Sequence, residues 1–333
     1  MDKLAFFSLS YLRLLRLTFG LCFLVLLTPA TAHAGCWWDC NDDYAKTQYP
    51  IVLSHGFLGS DQYLGSLDYW YGIVAHLETQ GATVYVTKAS PINSSTLRGE
   101  QIIEQLDAIR AIRDEPTLKF NLIGHSQGGI DIRYVGGVRP DLVASITTIG
   151  TPNAGSSLSD LIDQLEAGSD VFDAVIDKAG EALALLWGLL GNDIQPSDLH
   201  LAFDTFSTTT MAAFNADPVF GLGAVSSVCG EGEYISQTTA GPRPNYSWTG
   251  NASLTNIFDP LDLLFVITAP LLGGDNDGLV DRCSAHFGQV LRDDYAMNHL
   301  DEVNQILGLT ALFESDPKSV IRTHANRLKN EGL

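Results

Sequence analysis

The sequence has few basic residues. Its 333 residues include 19 Lys and Arg against 39 Asp and Glu, which gives a formal net charge of −20 at pH 7. Proteins that bind nucleic acid or anionic bilayers need clustered cations to neutralise phosphates. This chain therefore has no electrostatic reason to bind nucleic acid or an anionic membrane surface.

The sequence also lacks an apolar run long enough to span a bilayer, which takes about 20 residues, and it has no internal repeat or low-complexity tract. Its first apolar run, residues 17–27, follows three basic residues and precedes the small-x-small site Ala32-His33-Ala34. This pattern predicts a secretory signal peptide over residues 1–34. The alternatives are an uncleaved anchor and a lipoprotein that begins at Cys36.

Removal of residues 1–34 leaves 16 basic and 38 acidic residues, a formal charge of −22. The whole chain is 45% hydrophobic and only 17% charged, so it can bury a sizeable core and is not disordered. We expect residues 35–333 to form a single domain.

Cysteine is scarce. Four cysteines remain after the signal peptide: Cys36, Cys40, Cys229 and Cys283. An even count in an exported chain favours two disulfides, with three possible connectivities. Cys36 and Cys40 are close enough to form a local disulfide, and Cys229 and Cys283 would then close a longer loop. Zinc is the alternative for the first pair, but no second pair of ligands follows nearby.

One stretch carries a catalytic motif. Gly124-His125-Ser126-Gln127-Gly128 fits G-x-S-x-G, the nucleophile elbow of α/β-hydrolases. An apolar run over residues 120–123 suits a buried strand, and apolar residues at helical spacing follow. A sharp strand-to-helix turn needs glycine on either side of the nucleophile, because larger side chains would collide with the adjoining elements. The alternative is an ordinary βα turn without catalytic function.

The elements around this stretch alternate between strands and helices. Strands are predicted over residues 51–53, 82–87, 120–123 and 143–149, with an amphipathic helix over 101–112. This order predicts an α/β fold with a mostly parallel central sheet and helices on both faces. His55-Gly56 follows the first strand, where this fold places an oxyanion loop. The predicted oxyanion donors are the backbone N–H groups of Phe57 and Gln127.

A serine nucleophile needs a base and an orienting carboxylate, which α/β-hydrolases place in the order Ser, Asp, His. Asp277 lies in a turn before a short predicted strand, and His299 lies just before a predicted helix. Order and context favour Asp277 with His299, and His286 is the main competitor for the base. His200 also follows Ser126, and His324 lies in a basic C-terminal helix that predicts a surface position.

The region from about residue 158 to residue 190 is unusually apolar for a connection. Its continuously apolar part, residues 182–190, is too short to span a membrane. Either it forms two core helices, or it forms a mobile helical lid that exposes apolar surface to a substrate at an oil–water interface.

The sequence closely resembles the secreted bacterial triacylglycerol lipases of family I, the true lipases of the Pseudomonas–Burkholderia group. The resemblance covers nearly all of the mature chain except residues 35–47 and the apolar helical region. It is carried by Tyr69-Trp-Tyr-Gly72, Arg98-Gly-Glu-Gln101, Asn121-Leu-Ile-Gly-His-Ser126, Val138-Arg-Pro-Asp-Leu142, Cys229-Gly-Glu-Gly232, Asn276-Asp-Gly-Leu-Val280, Met297-Asn-His-Leu-Asp-Glu-Val-Asn-Gln305 and His324-Ala-Asn-Arg-Leu-Lys-Asn330.

This resemblance implies an α/β-hydrolase fold with a lid and an exported lipase that acts on water-insoluble triacylglycerols. It implies a catalytic triad, a disulfide and a structural calcium site, whose oxygen ligands suit Ca²⁺. The implied triad is Ser126 as nucleophile, Asp277 as acid and His299 as base. The implied disulfide joins Cys229 to Cys283. The implied calcium ligands are the carboxylates of Asp259 and Asp301 and the backbone carbonyls of Gln305 and Leu309.

Three departures from the family pattern stand out. Gln127 replaces a usual His, as in a branch that lacks the disulfide and folds unaided. Because this chain keeps the cysteine pair, we expect it to need a lipase-specific foldase during export. Asn153-Ala154 replaces a usual His-Lys, and residues 36–40 have no counterpart. The alternative functions are a carboxylesterase for soluble short-chain esters and a calcium-dependent binding module with a vestigial site.

Overall fold

The computed structural model describes residues 42–59, 62–63, 67–164, 204–227 and 229–333. All of these belong to one compact unit, Asn41–Leu333. The predicted signal peptide, the predicted Cys36–Cys40 disulfide, His200 and most of the predicted lid lie outside the described residues. None of the helices in the described part of the chain is long and apolar enough to cross a membrane.

A seven-stranded sheet forms the centre of this unit. The strands are β1 Ile51–Ser54, β2 Gln62–Tyr63, β3 Leu67–Asp68, β4 Val84–Val86, β5 Phe120–His125, β6 Val143–Ile149, β7 Ile235–Thr238, β8 Gly241–Gly250 and β9 Gln289–Tyr295, of which β2 and β3 form a separate antiparallel pair. The order in the seven-stranded sheet is β4-β1-β5-β6-β8-β7, with β9 also paired to β8. Every pairing in this sheet is parallel except that of β7 with β8, which confirms the predicted α/β class.

Helices cover both faces of the sheet, as predicted. Side chains alternate along β1, so Ile51 and Leu53 pack against one group of helices and Val52 packs against the other. The helices are α1 Ile73–Glu78, α2 Ser95–Arg113, α3 Gln127–Val138, α4 Ser157–Gln164, α5 Thr208–Ala216, α6 Asp262–Leu272 and α7 Pro317–Asn330, with short 3₁₀ turns at Pro140–Leu142 and Asp301–Val303. The first group of helices, against Ile51 and Leu53, is α1 and α7, and the second group, against Val52, is α2 and α3.

A buried ion pair joins α2 to α3. Arg98 Nε donates to Asp131 Oδ2 over 2.8 Å, and both side chains are fully buried. The same guanidinium donates to the backbone carbonyls of His55 at 2.7 Å and Gly56 at 3.3 Å. Arg98 therefore also holds the loop that follows β1. Burial raises the pKa of Asp131 to about 6, while the charge and the hydrogen bond of Arg98 oppose this rise.

A second buried polar contact joins α7 to the sheet. His324 was predicted at the surface, but only 1% of it is exposed, so that prediction is wrong. Its Nε2 lies 2.8 Å from Thr147 Oγ1, and its Nδ1 accepts from Arg327 Nη1 at 2.9 Å. Burial, and then the charge of Arg327, lower the pKa of His324 well below 6.5. The imidazole is therefore neutral in the folded protein.

We expect Asp131→Asn to lower the free energy of unfolding by about 3 kcal/mol, because it leaves the Arg98 charge buried without its partner. Urea unfolding measures this change. Asp107→Asn is the matched control, since the Asp107 pair with Arg139 is partly exposed, and it should change the free energy by less than about 1 kcal/mol. Equal losses in the two variants would contradict the assignment.

We expect stability to fall as the pH drops below 6.5, because the unfolded chain binds a proton at His324 that the folded chain does not bind. One such group contributes a slope of up to about 1.4 kcal/mol per pH unit. His324→Gln should reduce the slope of unfolding free energy against pH between pH 5.5 and 6.5. An unchanged slope would show that His324 titrates equally in both states.

Candidate active site

Ser126 occupies the turn between β5 and α3. Its backbone has φ 55° and ψ −130°, a strained conformation for a residue with a side chain. A Cβ atom at Gly124 would overlap the carbonyl of Gly128, and one at Gly128 would overlap the carbonyl of Ser54. The glycines of the motif are therefore needed for the close approach of β5, α3 and β1. This strand–turn–helix is the arrangement that the motif predicts around a nucleophile.

His299 and Asp277 form a hydrogen-bonded pair. His299 Nδ1 donates to Asp277 Oδ2 over 2.7 Å, and the backbone N–H of His299 donates to the Asp277 carbonyl over 2.9 Å. The other carboxylate oxygen, Oδ1, accepts from the backbone N–H groups of Leu279 at 2.9 Å and Val280 at 2.7 Å. Asp277 is thus held in place and orients the imidazole, so Nε2 is left as the proton acceptor of the neutral ring.

A chain of hydrogen bonds joins this pair to the elbow. The N–H of Gly56 donates to the Tyr69 hydroxyl over 3.1 Å, and that hydroxyl lies 2.6 Å from His125 Nδ1. His125 Nε2 lies 2.8 Å from the backbone carbonyl of His299, which can only accept. His125 therefore carries its proton on Nε2. Burial, and then His299, lower the pKa of His125 well below 6.5, which keeps the ring neutral.

Ser126 and His299 lie in neighbouring parts of the fold but are not hydrogen-bonded to each other. The ring centroids of His125 and His299 are 4.6 Å apart, and Ser126 follows His125 directly. No hydrogen bond joins Ser126 Oγ to His299, both of which lie in the described part of the chain. Catalytic hydrogen bonds are often long in structures without substrate and shorten only when substrate binds.

The two predicted oxyanion donors lie in segments next to Ser126. Phe57 follows Gly56, and a Cβ atom at Gly56 would meet Ser126 Cβ at 2.6 Å, so this loop passes directly over the elbow. Gln127 is the first residue of α3, where backbone N–H groups have no acceptor within the helix. Its side-chain Nε2 donates to the Asn93 carbonyl at 2.7 Å. The side chain is thus turned away, and only its backbone is available to an oxyanion.

Sequence reasoning gave no role to Glu302, which is fully buried near Asp277. Its Oε1 accepts from Gly250 N–H and from Thr249 Oγ1, while its Oε2 has no hydrogen-bond partner and lies 3.5 Å from His125 Nε2. Burial, and then the charge of Asp277, raise the pKa of Glu302 well above its ordinary value. The environment of Glu302 therefore disfavours a second negative charge beside Asp277. The only available signal was its position three residues after His299.

The nitrogens of His125 and His299 and a Glu302 oxygen lie within 4.8 Å of one another, close enough to suggest a metal site. Both ring nitrogens of His125 are already hydrogen-bonded, and so is Nδ1 of His299. The arrangement is better explained as a hydrogen-bonded network.

The residues predicted to bind calcium lie together beside α6. Asp301 is fully buried, and its Oδ1 has no hydrogen-bond partner. Burial is the largest cause that raises its pKa, to about 7, and Asp262 and Asp259 raise it further. Asp259 is also buried, and its Oδ2 accepts only a 3.4 Å bond from Ile306 N–H. Two desolvated carboxylates, one of which has an unpaired oxygen, fit a hard cation.

Two backbone carbonyls complete the predicted calcium set. The side-chain amide of Gln305 donates to the carbonyls of Asp68 and Tyr69, the latter at 2.8 Å, so it is already engaged. Its backbone carbonyl and that of Leu309 are the remaining predicted ligands, four residues apart. This set of carboxylate and carbonyl oxygens is chemically suited to Ca²⁺.

The disulfide predicted between Cys229 and Cys283 is present. His286, the competing base, lies just beyond it, with Nδ1 2.9 Å from the Gly230 carbonyl and Nε2 3.0 Å from Asp293 Oδ2. Its carboxylate partner is therefore Asp293 and not Asp277. Asn153, which departs from the family pattern, is buried and donates to Thr148 Oγ1 and the Ala285 carbonyl.

The described start of the predicted lid is packed. Leu158 of α4 is buried against Leu272 of α6 and Leu279. The backbone N–H and hydroxyl of Ser157 both donate to Asp281 Oδ2. α4 is thus joined to the loop that carries Asp277.

Comparison with known proteins agrees with this fold. Residues 49–188 match a family model described as the alpha/beta hydrolase fold. A triacylglycerol lipase of Vibrio cholerae is 44% identical over 291 residues, which cover 87% of this chain and 90% of the relative. A triacylglycerol lipase of Burkholderia plantarii is 37% identical over 92% of both chains. The crystal structure of Staphylococcus hyicus lipase shares the fold, with a TM-score of 0.56 at 16% identity over 89% of this chain and 99% of that one.

Identity of this extent over most of both chains is far above chance, and it agrees with the parallel sheet and the elbow around Ser126. The chain therefore belongs to the triacylglycerol lipase family of the α/β-hydrolase fold and is a serine ester hydrolase.

Proposed function

We propose that this protein hydrolyses the carboxylic ester bonds of water-insoluble triacylglycerols with Ser126, His299 and Asp277 as its catalytic triad. The observation that carries the proposal is the Asp277–His299 hydrogen bond beside a strained serine at a strand-to-helix turn. The names of the relatives supply the substrate class.

In this mechanism, His299 Nε2 takes the proton of Ser126 Oγ as the oxygen attacks the acyl carbon. Asp277 accepts the Nδ1–H bond and stabilises the imidazolium that forms. The negative charge on the tetrahedral intermediate is met by the backbone N–H groups of Phe57 and Gln127. His299 then protonates the leaving alcohol, which leaves an acyl-enzyme, and water releases the fatty acid by the same route.

The hydrogen-bond chain through His125 and Tyr69 supports this geometry. It joins the loop of one proposed oxyanion donor, the residue before the nucleophile, and the backbone of the base. The catalytic groups are therefore held relative to one another by bonds that substrate does not need to form. Preorganisation of this kind lowers the reorganisation that the reaction requires.

Ser126→Ala should lower turnover on the order of 10⁶-fold, and His299→Gln should lower it by a similar factor, because the triad acts as a unit. Initial rates on a soluble ester and on emulsified long-chain triacylglycerol measure this loss. His286→Gln is the matched control and should leave turnover within about twofold, since its partner is Asp293. Substantial hydrolysis by folded Ser126→Ala protein would refute the proposal.

The same measurements separate a lipase from an esterase. A lipase gains activity when the substrate exceeds its solubility limit, whereas a soluble-ester carboxylesterase saturates below that limit. Activity on the soluble ester alone would favour the esterase. A folded protein that a serine-directed phosphonate cannot label would instead be a binding module.

We further propose that Asp259, Asp301 and the carbonyls of Gln305 and Leu309 hold a structural calcium ion. When bound, the ion would neutralise the two buried carboxylates and join the loop after His299 to the start of α6. Asp301 lies two residues after His299, so this loop would hold the base in place. The unpaired oxygen of Asp301 supports this site.

EDTA should lower the melting temperature of the protein, and excess Ca²⁺ should restore it, because an ion bound only by the folded state stabilises that state. Scanning calorimetry measures the shift. Asp301→Asn should abolish the calcium-dependent shift, while Asp275→Asn, at an exposed carboxylate, should keep it. A melting temperature that neither EDTA nor Ca²⁺ changes would contradict the proposed calcium site.

We also propose that the protein is exported, with residues 1–34 as its signal peptide, and that a lipase-specific foldase assists its folding. The Cys229–Cys283 disulfide supports export, because such bonds persist in oxidising compartments. The region about residues 158–190 would serve as a lid over the site. Recovery of activity only when the denatured protein refolds with a foldase would support that dependence.

A further inference from the structure

Exposed apolar side chains are concentrated on one part of the surface. Of the 15 large hydrophobic residues recorded as exposed in the described part of the chain, ten lie in residues 254–271 and 307–313. We call these ten the apolar face. Its members are Leu254, Ile257, Phe258, Leu263, Val266, Ile267, Leu271, Leu307, Leu312 and Phe313.

The two segments of the apolar face are adjacent in space. Asn256 Nδ2 donates to the Thr310 carbonyl over 3.3 Å, and Ile306 N–H donates to Asp259 Oδ2 over 3.4 Å. α6 begins at Asp262, within the first segment, so its exposed side belongs to the same surface. The other end of α6 leads through Gly273 to Asp277.

α6 is apolar on both sides, which is unusual for a helix at a surface. Leu264, Phe265 and Leu272 are buried, with exposures of 6% or less. On the opposite side, Leu263, Val266 and Ile267 have exposures of 65%, 40% and 37%. A helix of this composition is normally covered all round, so the exposed side calls for an apolar partner.

The apolar face carries no charge of its own. Residues 254–258, 263–272 and 306–313 contain no Asp, Glu, Lys or Arg, although the chain has 58 such residues. Asp259 and Asp262 lie between these runs and are buried. The apolar face therefore offers no charged group that could pair with an anionic lipid headgroup or with a charged residue of a protein partner.

We infer that the apolar face binds the surface of a neutral lipid phase, such as a triacylglycerol droplet, and that it does so with residues outside the catalytic groups. This inference rests on the proposed lipase function and deepens it, because it names the part of the molecule that contacts the insoluble substrate. Contact here would bring the start of the Asp277 loop to the droplet.

The shape of the face favours lipid over a protein partner. Ile257, Phe258, Leu312 and Phe313 have exposures of 78% to 101%, so their side chains stand out from the loops and do not line a groove. A fluid apolar phase can surround such side chains, whereas a folded partner needs matching pockets. The net charge of −20 disfavours anionic surfaces and leaves neutral lipid as the surface it can approach.

The test measures binding separately from hydrolysis. In a Ser126→Ala background, the fraction of protein that floats with emulsified triolein gives a partition coefficient. We expect Ile257→Ser with Phe313→Ser, and separately Leu263→Ser with Val266→Ser, to lower it by about tenfold or more, because each loses apolar area that lipid would bury. The matched control is Ile112→Ser with Val219→Ser, at exposed residues outside the apolar face, and it should leave the coefficient unchanged.

In active protein, the two test variants should keep the wild-type rate on a soluble ester and lose rate on emulsified triolein. Equal partition coefficients for test and control variants, or no flotation of the parent, would overturn the inference. Equal loss on both substrates would also overturn it, because the face would then serve the site and not the surface. A parent that sediments as a dimer, with monomeric test variants, would assign the face to a second copy.

Failure of the proposed function would be distinguishable from failure of this inference. Failure of the proposed function would appear as absence of hydrolysis of the soluble ester by protein that carries Ser126. Flotation of the Ser126→Ala protein does not depend on that result.

Discussion

The arrangement of the site depends on the imidazole of His125, a residue that does no chemistry in the proposed mechanism. The His299 carbonyl can only accept, so His125 carries its proton on Nε2, and its Nδ1 then accepts from the Tyr69 hydroxyl, which in turn accepts from Gly56. Each step determines the next, so one tautomer joins three segments far apart in sequence. A charged His125 would lose the acceptor at Nδ1, and burial prevents that charge.

The electrostatics around the base follow from unequal environments of two carboxyl groups. Asp277 receives two backbone N–H bonds and the His299 bond, so donors surround it. Glu302 is buried with one oxygen unpaired and is close enough to Asp277 for that charge to raise its pKa. Two negative charges buried close together destabilise each other, because little solvent screens their repulsion. The imidazolium of the proposed mechanism is hydrogen-bonded to Asp277, while a negative charge on Glu302 is disfavoured by burial.

Much of the fold could be predicted because the signals are local. Alternating strands and helices predicted the parallel sheet, and the apolar run before Gly124 predicted β5 with its turn. Sequence order also favoured Asp277 with His299, and the structure brings these two together while pairing His286 with Asp293. These inferences need only neighbours in the chain or the order of motifs.

The contacts that could not be predicted join residues far apart in sequence. Arg98 contacts the carbonyl of His55, 43 residues away, and His125 contacts that of His299, 174 residues away. No hydrophobic periodicity or sequence motif predicts a contact between residues so far apart in the chain. His324 was misplaced for a related reason: the basic composition of α7 describes its solvent side, whereas burial of one position depends on Thr147 in a distant strand.

The Cys229–Cys283 disulfide encloses a ring of chain with a sequence separation of 54. Within that ring lie β7, β8, α6 and Asp277, so two strands at one end of the sheet and the proposed acid are covalently confined even when the protein is unfolded. In the loop-closure picture, a ring of this length removes about 4 kcal/mol of chain entropy from the unfolded state at 25 °C. Reduction of this single bond would therefore enlarge the conformational space of the unfolded segment that carries both α6 and the proposed acid, whereas His299 lies outside the ring.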